Sequence, residues 1–361
     1  MIRVLHYIPA FGYGGIETVV LNLYKNIDKK FQFDFLVETK IPEYAERIIK
    51  NNNGKIIQIP KMTNKSKLLL YFKSLYRVFK YGKYDVFHCH SLDTRPFPMI
   101  FAKIFKIKLR IMHIHFNDFN DKKHLCLKKF FINIGQRNAN YYIACSARAA
   151  KNILSAKNSK KAMILNNGID INRFRYDKNN GNNTRNKLNI NSNVFLIGCI
   201  GRLSYLKNQK FVINIANKFP KRYQILFLGD GEDKAELESV AAKLKLENVD
   251  FMGNVENVKD YLDAFDLVLM PSISEAMPLT LIEIQANGVP AIVSESIDEE
   301  FIINSNICRL ALNNDIWLRY IHDNDLKRIS PNKMLKKFDI KNITKLYENT
   351  IICETENSLE D

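Results

Sequence analysis

Cysteine is scarce in this chain, and long apolar runs are missing. Six cysteines are scattered over 361 residues without paired spacing, at positions 89, 126, 145, 199, 308 and 353. Such spacing argues for reduced thiols in a cytoplasmic protein and against a zinc site or a disulfide framework. No apolar run approaches the roughly 18 residues that span a bilayer. The apolar start at residues 1–5 is too short for a secretion signal and is interpreted as a first strand.

Acidic residues are scarce in the first half of the chain. Residues 1–180 hold 33 Lys and Arg against 12 Asp and Glu, a net charge of +21, whereas residues 181–361 hold 21 against 26, a net charge of −5. This asymmetry indicates that the first half faces a polyanion, either a membrane surface or nucleic acid. The length and the hydrophobic content of 46% predict two domains with sizeable cores.

Strands and helices are predicted to alternate along the chain. Apolar runs typical of strands lie at 2–8, 31–37, 55–59, 85–89, 109–114, 141–145, 194–200, 224–228, 249–252, 267–270 and 291–293. Helical patterns lie at 16–27, 64–82, 94–105, 122–137, 146–155, 208–218, 233–246, 257–264 and 279–287, with one or two more after 331. This rhythm implies parallel sheets that are covered by helices on both faces.

A polar, asparagine-rich run at 177–193 interrupts the alternation and is interpreted as a linker or domain boundary. The predicted fold class is α/β, with two doubly wound, Rossmann-like domains that face each other across a cleft. The domains are expected at 1–180 and 181–335, followed by a helical tail at 336–361 that could pack back toward the first domain. Clefts between domains are preferred ligand sites.

The stretch from 270 to 293 forms one predicted strand–loop–helix–strand unit. Two carboxylates, Glu275 in the loop and Glu283 in the helix, have seven residues between them. The loop follows the carboxyl end of a strand, where open α/β sheets bind ligands, and the helix start favours an anion such as phosphate. The plain alternative is an ordinary surface unit whose acidic residues only complement the helix dipole.

Three other strand ends carry candidate site residues. Gly14 and Gly15 lie between a strand and a helix, where backbone can approach a phosphate, although a plain turn is the favoured explanation of the two glycines taken alone. Arg202 can grip a phosphate with two hydrogen bonds and Lys207 can act as a point charge, unless both are merely solvated. The backbone at Asn254 could read the edge of a base.

Four histidines lie at the ends of two predicted strands. His113 and His115 are two residues apart, so in a strand they point the same way, and either could carry a proton or donate to a substrate hydroxyl. The alternative is a structural histidine bonded to backbone, the role that we favour for His88 and His90. No cysteine or acidic cluster joins these residues, so no metal is expected.

These motifs together resemble the retaining GT-B glycosyltransferases of family four, in particular the bacterial exopolysaccharide and capsular type. The matching segments come in the family's order: 14–17, 85–91 (DVFHCHS), 110–115 (RIMHIH), 167–170 with Phe174, 201–203 with 207–209, 229–231, 251–253 and 270–293. They cover residues 1–300, whereas the tail matches only loosely. The resemblance implies an acceptor-binding first domain and a nucleotide-sugar-binding second domain.

The resemblance also implies roles for the charged residues. Arg202 and Lys207 would hold the nucleotide diphosphate, Glu275 would contact hydroxyls of the donor sugar, and Glu283 would bind the ribose hydroxyls. His115 would complete the catalytic set by facing the donor sugar, with His113 as the alternative. The remaining substrate contacts would come from Gly14 and Gly15 at the diphosphate, from Met277, Pro278, Leu279 and Thr280 at the sugar and phosphate, and from Asn254 and Val255 at the base.

Two residues depart from the family pattern. Ala276 replaces the usual glycine after the first carboxylate, where a Cβ would narrow the sugar pocket or shift the backbone if φ is positive. Ile284 replaces the usual alanine after the second carboxylate. These departures put the donor sugar in doubt more than the activity.

The implied activity is a metal-independent, retaining hexosyl transfer without a cofactor. A nucleotide-sugar, expected to be a UDP-sugar, would give its sugar to a saccharide acceptor that is expected to be lipid-linked, in surface polysaccharide synthesis. Negative charge gathers on the leaving diphosphate, and fixed positive groups stabilise it. The alternatives are a nucleotide-sugar epimerase, for which no acid/base set can be assembled, and a basic nucleic-acid-binding protein, for which no recognised module is present.

The segment 61–83 suits an anionic membrane surface. It mixes seven Lys and Arg with leucine and aromatic residues, the composition of a basic interfacial helix, and the lysines of 103–108, Lys122, Lys123, Lys128 and Lys129 extend the basic face. The alternative is a core helix with a solvated basic side. We therefore expect a cytoplasmic protein that binds the inner face of the cell membrane peripherally and that binds no nucleic acid.

Overall fold

The computed structural model describes residues 1–12, 14–62, 65–91, 96–118 and 125–357. Contacts divide the chain into two compact units, which do not coincide with the two halves of the sequence. The first unit combines Met1–Gly168 with Ile340–Asp361, and the second comprises Ile169–Asp339. Each unit contains one parallel sheet with helical crossovers.

The first unit contains a seven-stranded sheet in the order β3-β2-β1-β4-β5-β6-β7. Its strands are β1 (Ile2–Tyr7), β2 (Phe31–Val37), β3 (Lys55–Gln58), β4 (Val86–Cys89), β5 (Leu109–Ile114), β6 (Tyr141–Ala144) and β7 (Met163–Ile164). Its helices are α1 (Gly15–Asn26), α2 (Glu43–Asn51), α3 (Lys65–Tyr81), α4 (Phe97–Ile104), α5 (Leu125–Asn138), α6 (Ala147–Ile153) and α7 (Ala156–Ser159), and the chain returns later to add α14 (Ile340–Asn357).

The second unit contains a six-stranded sheet in the order β10-β9-β8-β11-β12-β13. Its strands are β8 (Phe195–Ile200), β9 (Tyr223–Leu228), β10 (Val249–Gly253), β11 (Leu267–Met270), β12 (Ala291–Ser294) and β13 (Ile307–Leu310). Its helices are α8 (Lys178–Lys187), α9 (Gln209–Ala216), α10 (Lys234–Lys243), α11 (Val258–Ala264), α12 (Leu279–Asn287) and α13 (Asn314–Asp323), with 3₁₀ turns at Glu299–Phe301 and Lys333–Phe338.

Both sheets confirm the predicted doubly wound α/β class. Every strand pair is parallel, and the middle strands are buried along their whole length, which accounts for their continuous apolar sequences. The strand order reverses direction between β1 and β4 in the first sheet and between β8 and β11 in the second. In open α/β sheets, ligands bind outside the carboxyl ends of the strands at such a reversal.

The prediction of a linker at 177–193 is wrong. The segment contains α8, whose start is capped by the Asp177 side chain, which accepts hydrogen bonds from the amides of Asn179 and Asn180 at 2.9 and 3.2 Å. Gly181 and Thr184 are buried where α8 packs on α11. The boundary predicted between 180 and 181 is therefore misplaced, because the division falls between Gly168 and Ile169. The asparagine-rich composition gave no helical signal, because α8 is stabilised by its N-cap and by close packing on α11.

The tail belongs to the core of the first unit. Ile343, Tyr347 and Ile351 recur every four residues along α14 and are buried in the same apolar cluster as strands β1 and β2. The last helix begins at Ile340, whereas the predicted tail started at 336, because residues up to Asp339 belong to the second unit. Helix α2 escaped prediction because it buries only Ala45 and Ile49.

The packing of α8 generates a stability prediction. A Cβ at Gly181 would lie 2.4 Å from the backbone oxygen of Asp263, so Gly181→Ala is expected to lower the free energy of unfolding by about 1–3 kcal/mol. The neighbouring Asn182 is exposed on the same helix, and Asn182→Ala is expected to leave stability unchanged or slightly raised. Denaturant unfolding of both variants measures the difference, and equal stabilities would show that the segment behaves as a linker after all.

Candidate functional site

Two loops meet at the strand-order reversal of the second unit. Lys207 lies in the loop after β8 and Glu275 in the loop after β11, and the Lys207 Nζ is 2.5 Å from the Glu275 Oε1. The hydroxyl of Ser272 donates to the same carboxylate oxygen at 2.7 Å. The Glu275 side chain is only 9% exposed, so this ion pair is largely shielded from water. The structure thus joins two residues to which the sequence had assigned separate ligands.

Arg202 lies in the same loop as Lys207 but projects outward. Its Nε donates to the Glu232 Oε2 at 2.8 Å, and both side chains are more than half exposed, so the pair contributes little stability. The loop itself is tightly supported from the end of β9. A Cβ at Gly229 would lie 2.2 Å from the Gly201 backbone oxygen, and φ at Gly229 is +132°, so only glycine fits there.

The start of α12 borders the ion pair in sequence. Pro278 occupies the N-cap position, and no side chain caps the helix. Met277 and Leu279 are buried, whereas Thr280 is partly exposed. Ala276 does not have positive φ, so the side chain in place of glycine strains no backbone there. The departure from the family pattern therefore adds one methyl group without requiring a positive φ.

Glu283 lies one turn into α12 and is mostly buried. Burial raises the pKa of this carboxyl group to about 7, against a smaller lowering influence of Arg173. Carboxyl groups whose pKa is raised toward neutral pH occur in many ligand sites.

The predicted base-reading segment follows β10. Gly253 has a φ of +68°, and its carbonyl accepts a hydrogen bond from the Gly229 amide at 2.8 Å, which ties the ends of β9 and β10 together. Asn254 beyond it is exposed, and Val255 is partly buried. Their contact with a base stays a prediction.

In the first unit, the glycine turn after β1 is organised by a buried carboxylate that was not singled out from the sequence. Glu17 accepts a hydrogen bond from the Gly12 amide at 3.0 Å, and a Cβ at Gly14 would lie 2.3 Å from its other oxygen. Gly15 opens α1, and a Cβ there would meet none of the described residues within 4 Å. The turn therefore leaves open space beside Gly15.

Five histidines lie in or directly after three neighbouring strands, β1, β4 and β5, toward the carboxyl ends of these strands. We call His6, His88, His90, His113 and His115 the histidine cluster. His6 pairs with His88 in the register of β1 and β4, and side chains two residues further on share the same face. His6 was not identified from the sequence because it stands alone in an apolar strand, and only the register reveals its place.

Two hydrogen-bonded series run through the histidine cluster. In the first, the His6 Nδ1 lies 3.0 Å from the His90 Nε2, and the His90 Nδ1 lies 2.9 Å from the His115 Nε2. In the second, the Tyr347 hydroxyl lies 3.0 Å from the His88 Nδ1, and the His88 Nε2 lies 3.1 Å from the His113 Nδ1. Among the described residues, the rings of His88 and His90 bond to other side chains, whereas the alternative had them bonded to backbone. That their role is structural stays a prediction.

Burial keeps the histidine cluster neutral. It lowers the pKa of His6 and of His115 to about 3, and it lowers the pKa of His88, His90 and His113 well below the usual value, with the other rings adding to the effect for these three. Ring nitrogens of His6, His88 and His90, and likewise of His90, His113 and His115, lie within 4.8 Å of one another. That no metal binds there stays a prediction.

Two family models match this chain. The model of Glycosyltransferase Family 4 matches residues 13–173, and the model of glycosyl transferases group 1 matches residues 180–308. Among curated proteins, the chain is 29% identical to the putative glycosyltransferase EpsF of Bacillus subtilis, covering 82% of this chain and 80% of EpsF. It is 26% identical to the UDP-Gal:alpha-D-GlcNAc-diphosphoundecaprenol alpha-1,3-galactosyltransferase of Escherichia coli, covering 73% and 70% of the two chains.

Solved structures share the fold. The Anabaena protein HepE, crystallised with UDP and glucose, superposes with a TM-score of 0.74 at 16% identity and covers 100% of this chain and 99% of its own. The lipopolysaccharide biosynthesis glycosyltransferase WaaG superposes with a TM-score of 0.64 at 14% identity and covers 98% and 94%. With two Rossmann-like units and both family models in order, the chain belongs to the GT-B glycosyltransferases of family four and is a glycosyltransferase of polysaccharide biosynthesis.

Proposed function

We propose that this glycosyltransferase transfers a hexosyl group from a UDP-sugar to a lipid-linked saccharide, with retention of configuration and without a metal. The observation that carries the proposal is the shielded pair of Lys207 and Glu275 at the strand-order reversal of the second unit. The choice of UDP draws support from the Escherichia coli relative, named for UDP-Gal, and from HepE, solved with UDP. The lipid-linked acceptor draws support from the diphosphoundecaprenol in the name of the same relative.

In this proposal, Arg202, Lys207 and the first amides of α12 hold the diphosphate. The ammonium group of Lys207 has three hydrogens, and its bond to Glu275 uses one of them. The bond fixes the ammonium position before the donor arrives, so little reorganisation is needed when charge develops on the leaving diphosphate. The backbone of Met277, Pro278, Leu279 and Thr280 lies beside the sugar and phosphate, and Asn254 and Val255 lie beside the base.

Glu275 serves as an acceptor for hydroxyls of the donor sugar and not as a nucleophile. Its Oε1 already accepts from Lys207 and from Ser272, and both bonds withdraw electron density from the carboxylate. The acceptor hydroxyl instead attacks from the side that the diphosphate leaves, and the departing phosphate takes the hydroxyl proton. In this arrangement His115 donates a hydrogen bond to the reacting sugar, and Gly14 and Gly15 give a phosphate room to approach.

We also propose that one face of the first unit binds an anionic membrane. Helices α3, α4 and α5 contact one another in order, and α3 buries Tyr71, Leu75 and Phe79 against the core. The core-helix alternative therefore describes only one side of α3. Other apolar side chains of the three helices are exposed: Leu69, Leu70, Tyr76, Tyr81, Ile104, Leu127 and Phe130. Exposed lysines and arginines lie among them, at Lys67, Lys73, Arg77, Lys80, Lys103 and Lys129, whereas Lys122 and Lys123 lie outside the described residues.

This face would hold the protein at the membrane surface without crossing it. Within the described part of the chain, no helix combines the length and the apolarity of a membrane span. Exposed leucine and aromatic side chains enter the interface, and the surrounding cations attract anionic headgroups.

The first test concerns the cations that hold the diphosphate. Arg202→Ala and Lys207→Ala are each expected to lower turnover by about 100-fold or more, because fixed positive charge is lost where negative charge develops. Lys210→Ala is the matched control, since the exposed Lys210 pairs with Glu236 at 2.8 Å much as Arg202 pairs with Glu232. Release of UDP during transfer measures the rates, and wild-type rates in both site variants would refute the assignment.

The second test uses the raised pKa of Glu283. Between pH 4.5 and about 7 the folded carboxyl holds its proton while the unfolded one has lost it, so stability falls as pH rises through this window. Glu283→Gln has no titrating carboxyl group at this position and does not show this loss. The free energy of unfolding of the variant minus that of the wild type is therefore expected to be up to about 2–3 kcal/mol more positive at pH 8 than at pH 5. Chemical denaturation at the two pH values measures it.

The same variant separates stability from ligand binding. At pH 8, Glu283→Gln is expected to bind UDP about tenfold more weakly, because a charged acceptor for the ribose hydroxyls is lost. Calorimetric titration measures the affinity. Unchanged UDP binding would remove Glu283 from the donor site, whatever its effect on stability.

The third test concerns the membrane face. Flotation with vesicles that contain phosphatidylglycerol is expected to recover the wild-type protein, and the double substitution Leu69→Ser with Leu70→Ser is expected to reduce that recovery several-fold. The control is Leu244→Ser with Ile316→Ser, which changes two exposed apolar residues of the second unit. Equal recovery of both double variants, or equal binding to uncharged vesicles, would argue against this surface.

A further inference from the structure

The two ends of the first hydrogen-bonded series, at His6 and at His115, lie in different surroundings. At one end, the His6 Nε2 is buried and has no partner among the described residues. At the other end, His115 is partly exposed, and its Nε2 is bonded to the His90 Nδ1. The Nδ1 of His115 therefore belongs to the ring that lies at the partly exposed end of this series.

Counting hydrogens restricts the tautomers of this series. Each neutral imidazole carries one N–H, so three rings share three hydrogens, and two of these lie in the two bonds between the rings. The low pKa of each ring keeps all three neutral near pH 7. The third hydrogen must then sit either on the His6 Nε2 or on the His115 Nδ1, because all three rings orient their hydrogens in one direction.

The buried end decides between these two states. A hydrogen on the His6 Nε2 would be a buried donor without an acceptor, which is the rarer and costlier kind of unpaired group. A hydrogen on the His115 Nδ1 can bond to water or to a ligand. We infer that His6 and His90 are positioning residues, which hold His115 in the tautomer that donates from Nδ1. The consequence for catalysis rests on the proposed sugar transfer, whereas the tautomer itself does not.

A metal centre fits the cluster less well than this hydrogen-bonded series. The ring nitrogens of bonded pairs are 2.9–3.1 Å apart, whereas two nitrogens on a tetrahedral zinc are about 3.3 Å apart. Among the described residues, neither histidine triad includes a carboxylate or a thiolate that would offset the ion's charge. The second series, from Tyr347 through His88 to His113, has the same short bonds and does not include His115.

Two-bond ¹H–¹⁵N correlation spectra of protein labelled with ¹⁵N at histidine report the tautomer of each ring. The wild-type spectrum near pH 7 is expected to show His115 with its hydrogen on Nδ1. In His90→Leu the bond to the His115 Nε2 is lost, so His115 is expected to populate both tautomers. Turnover is expected to fall by up to about 100-fold with little change in KM, because a correctly placed donor is lost from the transition state.

Two further variants separate positioning from folding. His90→Asn retains a side-chain N–H that can donate to the His115 Nε2, and it is expected to restore the single tautomer and most of the turnover. His88→Gln breaks the second series and is expected to leave the His115 tautomer unchanged. His115→Asn assigns the His115 signals.

Three results would overturn the inference. They are a hydrogen on the His115 Nε2 in the wild-type protein, an unaltered His115 tautomer in His90→Leu, and stoichiometric binding of Zn²⁺ by the histidine cluster. A wild-type protein that transfers no sugar would instead contradict the proposed function, and the spectra would still decide whether His90 sets the tautomer.

Discussion

Parallel strand pairing is the constraint on which both units depend. Consecutive parallel strands need a crossover, and each crossover returns the chain to the same edge of the sheet, so all loops at the carboxyl edge lie together. Where the strand order reverses, two of these loops diverge and leave room for a ligand. Lys207 and Glu275 meet at this place although 68 positions separate them in the chain. Their ion pair is therefore a consequence of topology and not of local sequence.

The Lys207–Glu275 pair of the second unit and the histidine cluster of the first unit compensate the burial of polar groups in different ways. In the second unit, opposite charges compensate each other, since Glu275 accepts from both Lys207 and Ser272. At the carboxyl ends of the first sheet's strands, burial keeps the histidine cluster uncharged, and the cluster is held by neutral hydrogen bonds. Charged groups such as Lys207 can attract and orient a charged ligand. Neutral rings instead fix the direction in which single hydrogen bonds are donated and contribute no net charge. The chemistry available at each place therefore depends on whether the buried groups are paired ions or neutral hydrogen-bonded rings.

Much of the fold could be predicted from apolar alternation, because buried parallel strands need continuous apolar runs. Three of the elements that escaped prediction lack that signal. Helix α8 is polar and asparagine-rich, so its evidence lies in the Asp177 cap and in the contact of Gly181 with α11. Helix α2 buries two side chains, and β7 has only two residues.

The sequence predicts which residues of the candidate site lie at strand ends, but it does not predict which of them contact one another. Arg202, Lys207 and Glu275 each follow a strand, which is visible in the sequence. The pairing of Lys207 with Glu275 depends on which strands are neighbours, and a single sequence does not show this. His6 illustrates the same point, because its place opposite His88 follows from strand register alone. Sequence therefore identifies the chemistry at strand ends, and topology decides which groups act together.

The two carboxylates around the start of α12 differ in when their charge is compensated. Lys207 and Ser272 compensate Glu275 within the protein, so its geometry exists before any ligand binds. The burial of Glu283 exceeds the influence of Arg173, so its ionised form lacks comparable compensation. A ligand whose hydroxyls donate to Glu283 would favour that ionised form and release a proton on binding near neutral pH. Glu275 is thus arranged in advance, whereas in the proposed function the ligand would complete the ionisation of Glu283.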